Sequence, residues 1–536
     1  MTSIPESLAV LRRYWGYDSF RPLQERIIAS LVTGRDTCVV MPTGGGKSVC
    51  YQLPAAMLEK QTVIVISPLI ALMQDQMAHL AQMGIPAAVL NSARSSQEQF
   101  VAMREATEGK YRLLYLSPER LAREDTVAWL KRVPVAFFAI DEAHCISEWG
   151  HEFRPEYRQL SSLRANFPDR PIAAFTASAT RQVRHDIMHQ LRLRDPDKYI
   201  ASFHRANLRY FVKQCDSLSE TALLVRALRE YMGSNVIVYS PTINKVEQTV
   251  DLLEAQGIAA VAYHGKMDSD TRRANQESWM SDEVRVLVGT IAFGLGINKA
   301  AVRAVIHMAL PKSVEQYYQE AGRAGRDGQP ADCILLWQKR DTGLLAYFVD
   351  QISDPAEKER AWQRYHQIRR FVDAPTCRHR QICAHFGETP KWKSCGACDV
   401  CIAPPQWLSQ ESHDVPRRQR APRARAAVSA RPAWSTMPRP LSETEQELRE
   451  YLANWRRETA RKQGVPAFVV MHDTSLEELC RVLPDSIAAI RQVQGFGDRK
   501  TQLYGPDILR ALQKFRDGDR VLDRASQPSR KTSAPN

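Results

Sequence analysis

Residues Val133–Tyr157 read VPVAFFAIDEAHCISEWGHEFRPEY, and the order of residue types in this segment indicates a parallel α/β sheet with a nucleotide site. The apolar run Val133–Ile140 has the length of a buried strand, and two acids, Asp141 and Glu142, follow it directly. Ligands of parallel sheets bind at the carboxyl ends of strands. We therefore expect Asp141 to hold Mg²⁺, directly or through water, and Glu142 to orient and deprotonate an attacking water.

An aromatic and basic loop follows the two acids. Aromatic faces stack on unpaired bases and arginine binds phosphate, so the loop is interpreted as a nucleic-acid sensor beside the nucleotide site. The alternative is an acidic strand end followed by a partly buried aromatic loop. The residues concerned are Trp149, His151, Phe153, Arg154 and Tyr157.

The composition favours a globular protein with a polyanionic partner. The 536 residues include 73 Lys and Arg against 60 Asp and Glu, a net charge of +13 at pH 7. This length predicts about three or four domains, and this charge favours nucleic acid as a partner. The N-terminal segment has no signal-peptide core, and no apolar run is long enough to span a bilayer. We expect a cytoplasmic protein without membrane contact.

Short β-rich runs alternate with amphipathic stretches up to about Arg340, which predicts parallel sheets joined by crossover helices. The predicted strands are Thr37–Met41, Val63–Ser67, Leu113–Ser117, Val135–Ile140, Ile172–Thr176, Val236–Ser240, Val284–Gly289 and Ala304–His307.

A glycine-rich loop, MPTGGGKS, directly follows the first predicted strand. Its glycines allow backbone N–H groups to approach phosphates, Lys47 can reach the β- and γ-phosphates, and Ser48 can ligate Mg²⁺. Met41 stands where the strict phosphate-loop pattern has glycine, so this is a variant of the pattern. The predicted ATP-binding residues of the loop are Thr43, Gly44, Gly45, Gly46, Lys47 and Ser48.

Upstream of this loop, GYDSFRPLQERII supplies candidate adenine contacts. Tyr17 can stack on a base, and the amide of Gln24 has the donor and acceptor that adenine's edge requires. Arg21 lies between them and is included in the predicted ATP site. The alternative is an ordinary helix start with polar surface residues.

A second α/β region ends in QYYQEAGRAGRDG, where Gln319, Arg323 and Arg326 recur near helical spacing. Arginine can stabilise the negative charge of a transferring γ-phosphoryl group. If Arg326 reaches ATP from a second lobe, hydrolysis requires lobe closure. A basic surface helix is the alternative.

Two segments of small polar residues, AFTASAT (Ala174–Thr180) and GTIAFGLGINKAAVRAVIH (Gly289–His307), suit contacts to a nucleic-acid backbone. Ser178 is the candidate DNA-binding residue in the first of them. Each segment by itself also fits a simple strand end.

In this order the motifs resemble those of the RecQ family of DNA helicases, in helicase superfamily two. The resemblance covers nearly all of Leu8–Phe515 and includes GYDSFRPLQ, MPTGGGKS, VISPLIALMQDQ, DEAH with its aromatic loop, GTIAFGLGINK and QEAGRAGRDG. AFTASAT stands where the family usually has Thr-Ala-Thr, so Ser178 is a departure.

The resemblance implies two RecA-like parallel-sheet motor lobes (1–200 and 201–340), a helical zinc-binding subdomain (341–404) and a C-terminal all-α HRDC bundle (441–516). It makes Arg326 the expected arginine finger, with Arg323 in support. The implied activity is ATP-driven translocation on single-stranded DNA and unwinding of forked or duplex DNA with 3′-to-5′ polarity, in DNA repair and recombination. A bacterial-type, nucleoid-associated protein is implied, with single-strand-binding protein as a candidate partner.

A cysteine cluster follows the second lobe. Four thiolates, three of them at two-residue gaps, can form a closed tetrahedral Zn²⁺ site. A redox cysteine pair is the alternative, and the rival ligands Cys383, His379 and His385 are rejected because Cys383 and His385 fall in the predicted helix QICAHFG. The residues that align with the family's zinc subdomain are Cys377, Cys395, Cys398 and Cys401.

An Arg- and Pro-rich segment, 405–440, separates the zinc region from the HRDC region and has no acid between Asp414 and Glu443. We expect a flexible linker, or a linker that also tethers DNA through phosphates. The gap is too short for the winged-helix domain of larger family members. The turn QGFGDRK either binds a phosphate or only joins two helices, and 517–536 is predicted to be disordered.

Three rival functions remain open at this stage. One is an ATP-driven translocase that unwinds poorly without a winged helix. Another is a DNA-bridging or annealing protein in which ATP regulates affinity. The third is an RNA helicase, which the aromatic loop disfavours.

Overall fold

A computed structural model describes residues 4–68, 70–90, 95–150, 152–290, 299–409, 441–465 and 467–518. The first α/β lobe contains a parallel seven-stranded sheet with the order β3-β4-β2-β5-β6-β1-β7. Its strands are β1 (Thr37–Val40), β2 (Thr62–Ile66), β3 (Ala87–Leu90), β4 (Leu113–Leu116), β5 (Val135–Ile140), β6 (Ile172–Thr176) and β7 (Asp197–Ile200).

Helices cover both faces of this sheet, as a parallel sheet that is buried on both sides requires. They are α1 (Ile4–Trp15), α2 (Gln24–Val32), α3 (Lys47–Met57), α4 (Ile70–Met83), α5 (Ser96–Thr107), α6 (Pro118–Leu121), α7 (Glu124–Leu130), α8 (Pro155–Arg158), α9 (Leu163–Asn166) and α10 (Arg181–Gln190). Short 3₁₀ turns lie at Ala143–Ile146 and Gln159–Ser162.

The second lobe contains a parallel six-stranded sheet with the order β10-β11-β9-β12-β13-β8. Its strands are β8 (Leu208–Gln214), β9 (Asn235–Tyr239), β10 (Ala260–Tyr263), β11 (Val286–Gly289), β12 (Val302–His307) and β13 (Ala331–Trp337). Its helices are α11 (Ser217–Glu230), α12 (Ile243–Ala255), α13 (Ser269–Met280) and α14 (Val314–Ala321).

The remaining described residues are helical or irregular and form two further regions. The zinc region holds α15 (Lys339–Asp350), α16 (Pro355–Asp373), α17 (Arg378–His385) and α18 (Gln406–Ser409). The HRDC region holds α19 (Glu443–Gln463), α20 (Ala467–Val470), α21 (Asp473–Val482), α22 (Ile487–Gln492) and α23 (Asp498–Arg516). This confirms the predicted fold class, and the domain boundaries remain predictions.

The eight predicted strands are all present, within two residues at either end. The sequence did not indicate β3, β7, β8, β10 or β13. Four of these form the edges of the two sheets, where one side of a strand can stay polar; β7 (DKYI) buries only one of its residues fully. The fifth, β13, is buried along its whole length and was overlooked despite its apolar run.

The HRDC helices pack against both lobes. The Tyr504 hydroxyl lies 3.1 Å from Gln82 Oε1 on α4 of the first lobe. Arg456 Nη2 on α19 lies 3.7 Å from Asp282 Oδ2 of the second lobe, and Lys299 Nζ lies 2.6 Å from the other oxygen of that carboxylate. The HRDC region therefore lies across both lobes in this conformation.

The QGFGDRK turn lies inside this interface. A Cβ added at Gly497 would lie 2.5 Å from the carbonyl oxygen of Tyr14. Lys500 is buried, and burial lowers the pKa of its ammonium group to about 8. In this conformation the turn joins two helices and packs on α1, as the simpler of the two interpretations expects. The 410–440 part of the predicted linker and 519–536 of the predicted tail lie outside the described residues.

Within the described ranges, none of the helices has the length and apolarity needed to cross a bilayer.

Candidate nucleotide and nucleic-acid site

The glycine-rich loop connects β1 to α3 and presents the first turn of that helix. Gly44 and Gly46 have φ of +82° and +84°, a left-handed conformation that glycine adopts without strain. Gly46 is the N-cap of α3 and Lys47 is its first residue, so free N–H groups and the positive end of the helix dipole face the loop. This geometry suits a phosphate group.

Gln24 and Arg21 hold the loop in place. Gln24 Oε1 accepts from the Arg21 N–H at 2.9 Å, and its Nε2 donates to the Gly46 carbonyl at 3.0 Å. A Cβ on Gly46 would collide with Gln24 Nε2, so this contact requires glycine. Arg21 Nη1 donates to the Gly44 carbonyl. Tyr17 lies half-buried nearby, and burial raises the pKa of its phenol. Adenine recognition by Gln24 and Tyr17 remains a prediction.

The two acids lie at the carboxyl end of β5. Asp141 donates its N–H to the Ile66 carbonyl at 2.8 Å, and its Oδ1 accepts from the Glu142 N–H at 3.0 Å. Glu142 has φ of +46°, which is rare for a residue with a side chain and is held where surrounding contacts over-determine the backbone. Burial first, and then the charge of Glu142, raise the pKa of Asp141 to about 7. A divalent cation there would stabilise the ionised form, so the donor set of Asp141 and the Ser48 hydroxyl fits Mg²⁺.

His144 connects these acids to the aromatic loop. Its Nδ1 lies 2.9 Å from Thr176 Oγ1 and 3.3 Å from Glu142 Oε2. Its Nε2 lies 3.8 Å from a carboxylate oxygen of Glu152, inside the aromatic loop. The sequence placed His144 in the DEAH motif without assigning it a role. In the structure it lies between Glu142 and Glu152 and is one of the contacts between the acids and the aromatic loop.

Among the described aromatic residues of the loop, Trp149 is the most open to a partner, with 45% of its surface exposed. Phe153 lies under the guanidinium of Arg158, whose Cζ is 5.5 Å from the ring centroid. Arg154 Nη1 lies 3.5 Å from the Pro68 carbonyl. Tyr157 is fully buried and donates to the Asp141 carbonyl at 3.0 Å, so it supports the acid and has no exposed face. His151 lies outside the described residues.

Ser178 lies at the contact between the lobes. It is 2% exposed, and its Oγ accepts from Gln319 Nε2 of the second lobe at 2.8 Å. In this conformation it offers almost no surface to a DNA strand, and its DNA contact remains a prediction. The other backbone-binding candidate, GTIAFGLGINK, lies largely in 291–298, outside the described residues.

Arg326 of the second lobe lies against the glycine-rich loop of the first. A Cβ on Gly44 would lie 3.4 Å from Arg326 Cγ. Desolvation lowers the pKa of Arg326 to about 9, with the charges of Arg323 and Arg205 adding to the effect, so the guanidinium stays cationic at neutral pH. Arg323 is buried beside it, 8% exposed. The two arginines are thus brought to the loop, while their catalytic roles remain predictions.

Arg205 joins the two lobes and was missed by the sequence reasoning. Its Nη1 donates to the Thr43 carbonyl of the loop at 2.9 Å, and its Nη2 donates to the Gly325 carbonyl at 3.0 Å. One side chain therefore fixes the distance between the glycine-rich loop and the turn that carries Arg326. The stretch FHRANLRY, which contains Arg205 and Arg209, carries no pattern that could have indicated this contact.

The four predicted zinc ligands converge at one place. Their sulfur atoms all lie within 4.8 Å of one another, and Cys398 Sγ lies 4.0 Å from Cys377 Sγ. Four thiolates about 2.3 Å from one Zn²⁺ would lie about 3.8 Å apart, so the cluster fits a tetrahedral site. Two of the rejected candidate zinc ligands contact other residues. His385 Nε2 lies 2.6 Å from Glu315, and His379 Nε2 lies 3.2 Å from the Arg205 carbonyl.

The fold and the site together define a two-lobed, RecA-like protein of the helicase type. Family models match along the chain in order: DEAD/DEAH box helicase over residues 21–186, helicase conserved C-terminal domain over 219–328, RecQ zinc-binding over 339–402 and HRDC domain over 445–512. The chain belongs to the RecQ family. The cysteine cluster is accordingly a Zn²⁺ site, and ATP with Mg²⁺ is typical of helicases.

Two relatives illustrate this membership. The ATP-dependent DNA helicase RecQ of Bacillus subtilis is 39% identical over 415 residues, which cover 76% of this chain and 68% of the relative. The protein of the same name from Haemophilus influenzae is 42% identical over 402 residues, 75% of this chain and 64% of the relative. The chain thus spans less than two thirds of the Haemophilus protein.

Among solved structures, a DUF1998 helicase MrfA bound to DNA aligns with a TM-score of 0.51 at 18% identity. The alignment covers 62% of this chain and 50% of that chain. At this identity the likeness concerns the fold alone.

Removing one zinc ligand tests the cysteine cluster. We expect Cys398→Ala to reduce bound zinc from one per chain to nearly none and to destabilise the zinc region, because structural zinc contributes about 10–16 kcal/mol of apparent binding energy to such sites. Metal content after gel filtration and thermal unfolding measure the two effects. Cys383→Ala is the matched control and should retain zinc. A Cys398→Ala protein with full zinc content would contradict the assignment.

Proposed function

We propose that this protein is an ATP-dependent DNA helicase that translocates on single-stranded DNA with 3′-to-5′ polarity and unwinds duplex. The observation that carries the proposal is the position of Arg326, on the second lobe, against Gly44 of the phosphate loop on the first. A nucleotide held between two lobes makes its hydrolysis dependent on their closure. A protein with this substrate would work at the nucleoid, in repair and recombination.

The geometry of the site supports the following proposed roles in nucleotide binding and hydrolysis. The loop N–H groups and Lys47 would bind the phosphates, Ser48 and Asp141 would hold Mg²⁺, and Glu142 would accept the proton of the attacking water. Mg²⁺, when bound, would neutralise part of the negative charge of the phosphates. Arg326, with Arg323 behind it, would stabilise the negative charge that develops on the γ-phosphoryl group.

The contact between the DNA and ATP sites runs through the aromatic loop. Trp149 presents an exposed face on which an unpaired base can stack. The same loop contacts His144 through Glu152, and His144 contacts Glu142. A strand that moves the loop therefore changes the surroundings of the proposed catalytic base.

Unwinding of a forked DNA duplex tests the proposal. The wild-type protein should separate a fork that carries a 3′ single-stranded tail with ATP, and should fail with a non-hydrolysable analogue. Reversing the tail to 5′ tests the polarity. Strand separation at equal rates with both nucleotides would contradict a motor and would favour the DNA-bridging or annealing alternative.

Replacing Trp149 tests the coupling. We expect Trp149→Ala to lower the stimulation of ATPase activity by limiting single-stranded DNA about five- to 150-fold, because one base–aromatic stacking contact is worth about 1–3 kcal/mol. The ATPase rate as a function of DNA concentration measures this. Phe100→Ala, an exposed aromatic on α5, is the matched control. Equal stimulation of the wild type and Trp149→Ala would remove the sensor role.

A translocase with weak unwinding is the second candidate. One observation favours it: only residues 410–440 separate the end of α18 from the HRDC region, which leaves no room for a winged-helix domain there. A translocation assay, such as displacement of streptavidin from a biotinylated strand, run beside the fork assay separates the two. Single-strand-binding protein is the proposed partner for the released strand, and comparing stimulation by DNA and RNA tests the nucleic-acid class.

A further inference from the structure

A cavity of about 660 Å³ lies between the aromatic loop, the start of α10 and the zinc region. Trp149 forms one wall, Gln182 of α10 a second, and Gln363 and Gln367 of α16 a third. This volume lies within the range of about 300–1,000 Å³ typical of small-molecule sites. Of these side chains only Trp149 belongs to the DNA site proposed above.

Three glutamine side chains that line this cavity are available to a ligand. Gln182, Gln363 and Gln367 are exposed, and their side-chain amides make no hydrogen bond with another of the described residues. Each amide offers two N–H donors and a carbonyl acceptor, the groups that pair with the edge of a nucleobase. Three such groups facing the same space as a half-exposed tryptophan form a recognition surface for a planar, hydrogen-bonding ligand.

Arginines supply charge around the amides. Arg360 Cζ lies 5.9 Å from the centroid of the Trp149 ring, and Arg364 pairs with Glu357. Arg181 donates from Nη2 to the Gly387 carbonyl at 2.9 Å. A guanidinium has five N–H donors, so each arginine retains donors for a phosphate.

The two acids of the cavity wall are already engaged. Glu315 pairs with His385 at 2.6 Å. Glu388 accepts from Ser202 Oγ at 2.6 Å and from the Phe203 N–H at 2.8 Å. Three arginines and two glutamates line the cavity, a formal excess of one positive charge.

We propose that this cavity binds one unpaired nucleotide of the DNA strand, with its base stacked on Trp149, its edge against the glutamine amides and its phosphate on Arg181 or Arg364. The proposal rests on the proposed function and adds the zinc region to its DNA-binding surface. The occupant is single-stranded because the Watson–Crick edge of a base is free only when the base is unpaired.

Two DNA probes of equal charge test the base contacts. One is fluorescein-labelled oligothymidine, and the other has the same length with abasic sugars at its central positions. We expect the double variant Gln363→Ala/Gln367→Ala to bind oligothymidine about tenfold more weakly and the abasic strand within twofold of wild type, by anisotropy. Gln351→Ala, an exposed glutamine at the end of α15, is the matched control and should bind both strands as wild type does.

Loss of the phosphate contact should affect the two DNA probes equally, unlike loss of the base contacts. Arg364→Ala should weaken both strands by the same factor and reduce the slope of log Kd against log salt concentration by about 1. Gln182→Ala, on the opposite wall, should also weaken binding of oligothymidine and not of the abasic strand. Because Gln182 lies outside the zinc region, this variant tests the cavity even if the double variant on α16 loses zinc.

If both glutamine variants bind oligothymidine as the wild type does, the cavity does not hold a base of the strand. If the wild type binds oligouridine more tightly than oligothymidine, the ligand of the cavity is RNA and not DNA. If the wild type in these preparations shows DNA-stimulated ATPase activity while the glutamine variants bind normally, only the cavity proposal fails. If the wild type shows no DNA-stimulated activity, the proposed function itself fails.

Discussion

Replacing Arg326 with alanine is expected to lower kcat for DNA-stimulated ATP hydrolysis by about 10³–10⁵, the range measured for arginine fingers. The side chain lies against Gly44 across the contact between the lobes, and desolvation there strengthens its interaction with phosphate charge. The charge it would stabilise is largest in the transition state, so KM for ATP should change much less than kcat. Steady-state ATPase kinetics at saturating single-stranded DNA separate the two parameters.

Two further variants sharpen this test. Arg340→Ala removes an exposed arginine on α15 and should leave kcat unchanged. Arg326→Lys keeps the charge but loses the planar fork of donors, so it should recover only part of the rate. A fall in kcat of less than tenfold in Arg326→Ala would show that the arginine lies beside the nucleotide without acting on it.

Glu142→Gln is the second variant for which we expect a very large loss, about 10²–10⁴ in kcat, because general-base catalysis contributes this much. The amide is nearly isosteric and keeps the unusual backbone of Glu142, with φ of +46°, under the same constraints. It cannot accept the proton of the attacking water. Lys47→Ala should abolish hydrolysis by a different route, since it removes a cation from the β- and γ-phosphates.

Measurements of ATP binding and of DNA binding distinguish the loss of the catalytic base in Glu142→Gln from the loss of the phosphate-binding cation in Lys47→Ala. Glu142→Gln should still bind ATP, whereas Lys47→Ala should bind it weakly, and both should bind single-stranded DNA as the wild type does. Glu124→Gln, an exposed glutamate on α7, is the matched control. Undiminished turnover in Glu142→Gln would assign the base to another residue.

The central strands were predictable because parallel strands buried on both faces consist of continuous apolar runs. β2 (TVIVI) and β5 (VAFFAI) illustrate this. The edge strands β7 and β10 are only partly buried, so their sequences carry a weaker signal. Three of the zinc cysteines, Cys395, Cys398 and Cys401, were predictable from their two-residue gaps, and Cys377 was predictable from the family resemblance.

Side-chain roles that depend on burial were less predictable. Tyr157 was grouped with the stacking residues of the aromatic loop, yet it is buried and hydrogen-bonded to Asp141. Ser178, predicted to contact DNA, is 2% exposed at the contact between the lobes. Local sequence gives the chemistry of a side chain, while its exposure depends on which distant segment packs over it.

The sequence by itself determined the central strands, the phosphate loop, the pair of acids and the three cysteines at two-residue gaps, because each depends on residues close together in the chain. Only the tertiary structure decided that Arg205 spans from Thr43 to Gly325, that Arg326 lies on Gly44 and that α16 faces Trp149. These contacts join residues far apart in sequence. Their geometry depends on how whole lobes pack together, and a pattern of neighbouring residues does not encode that packing.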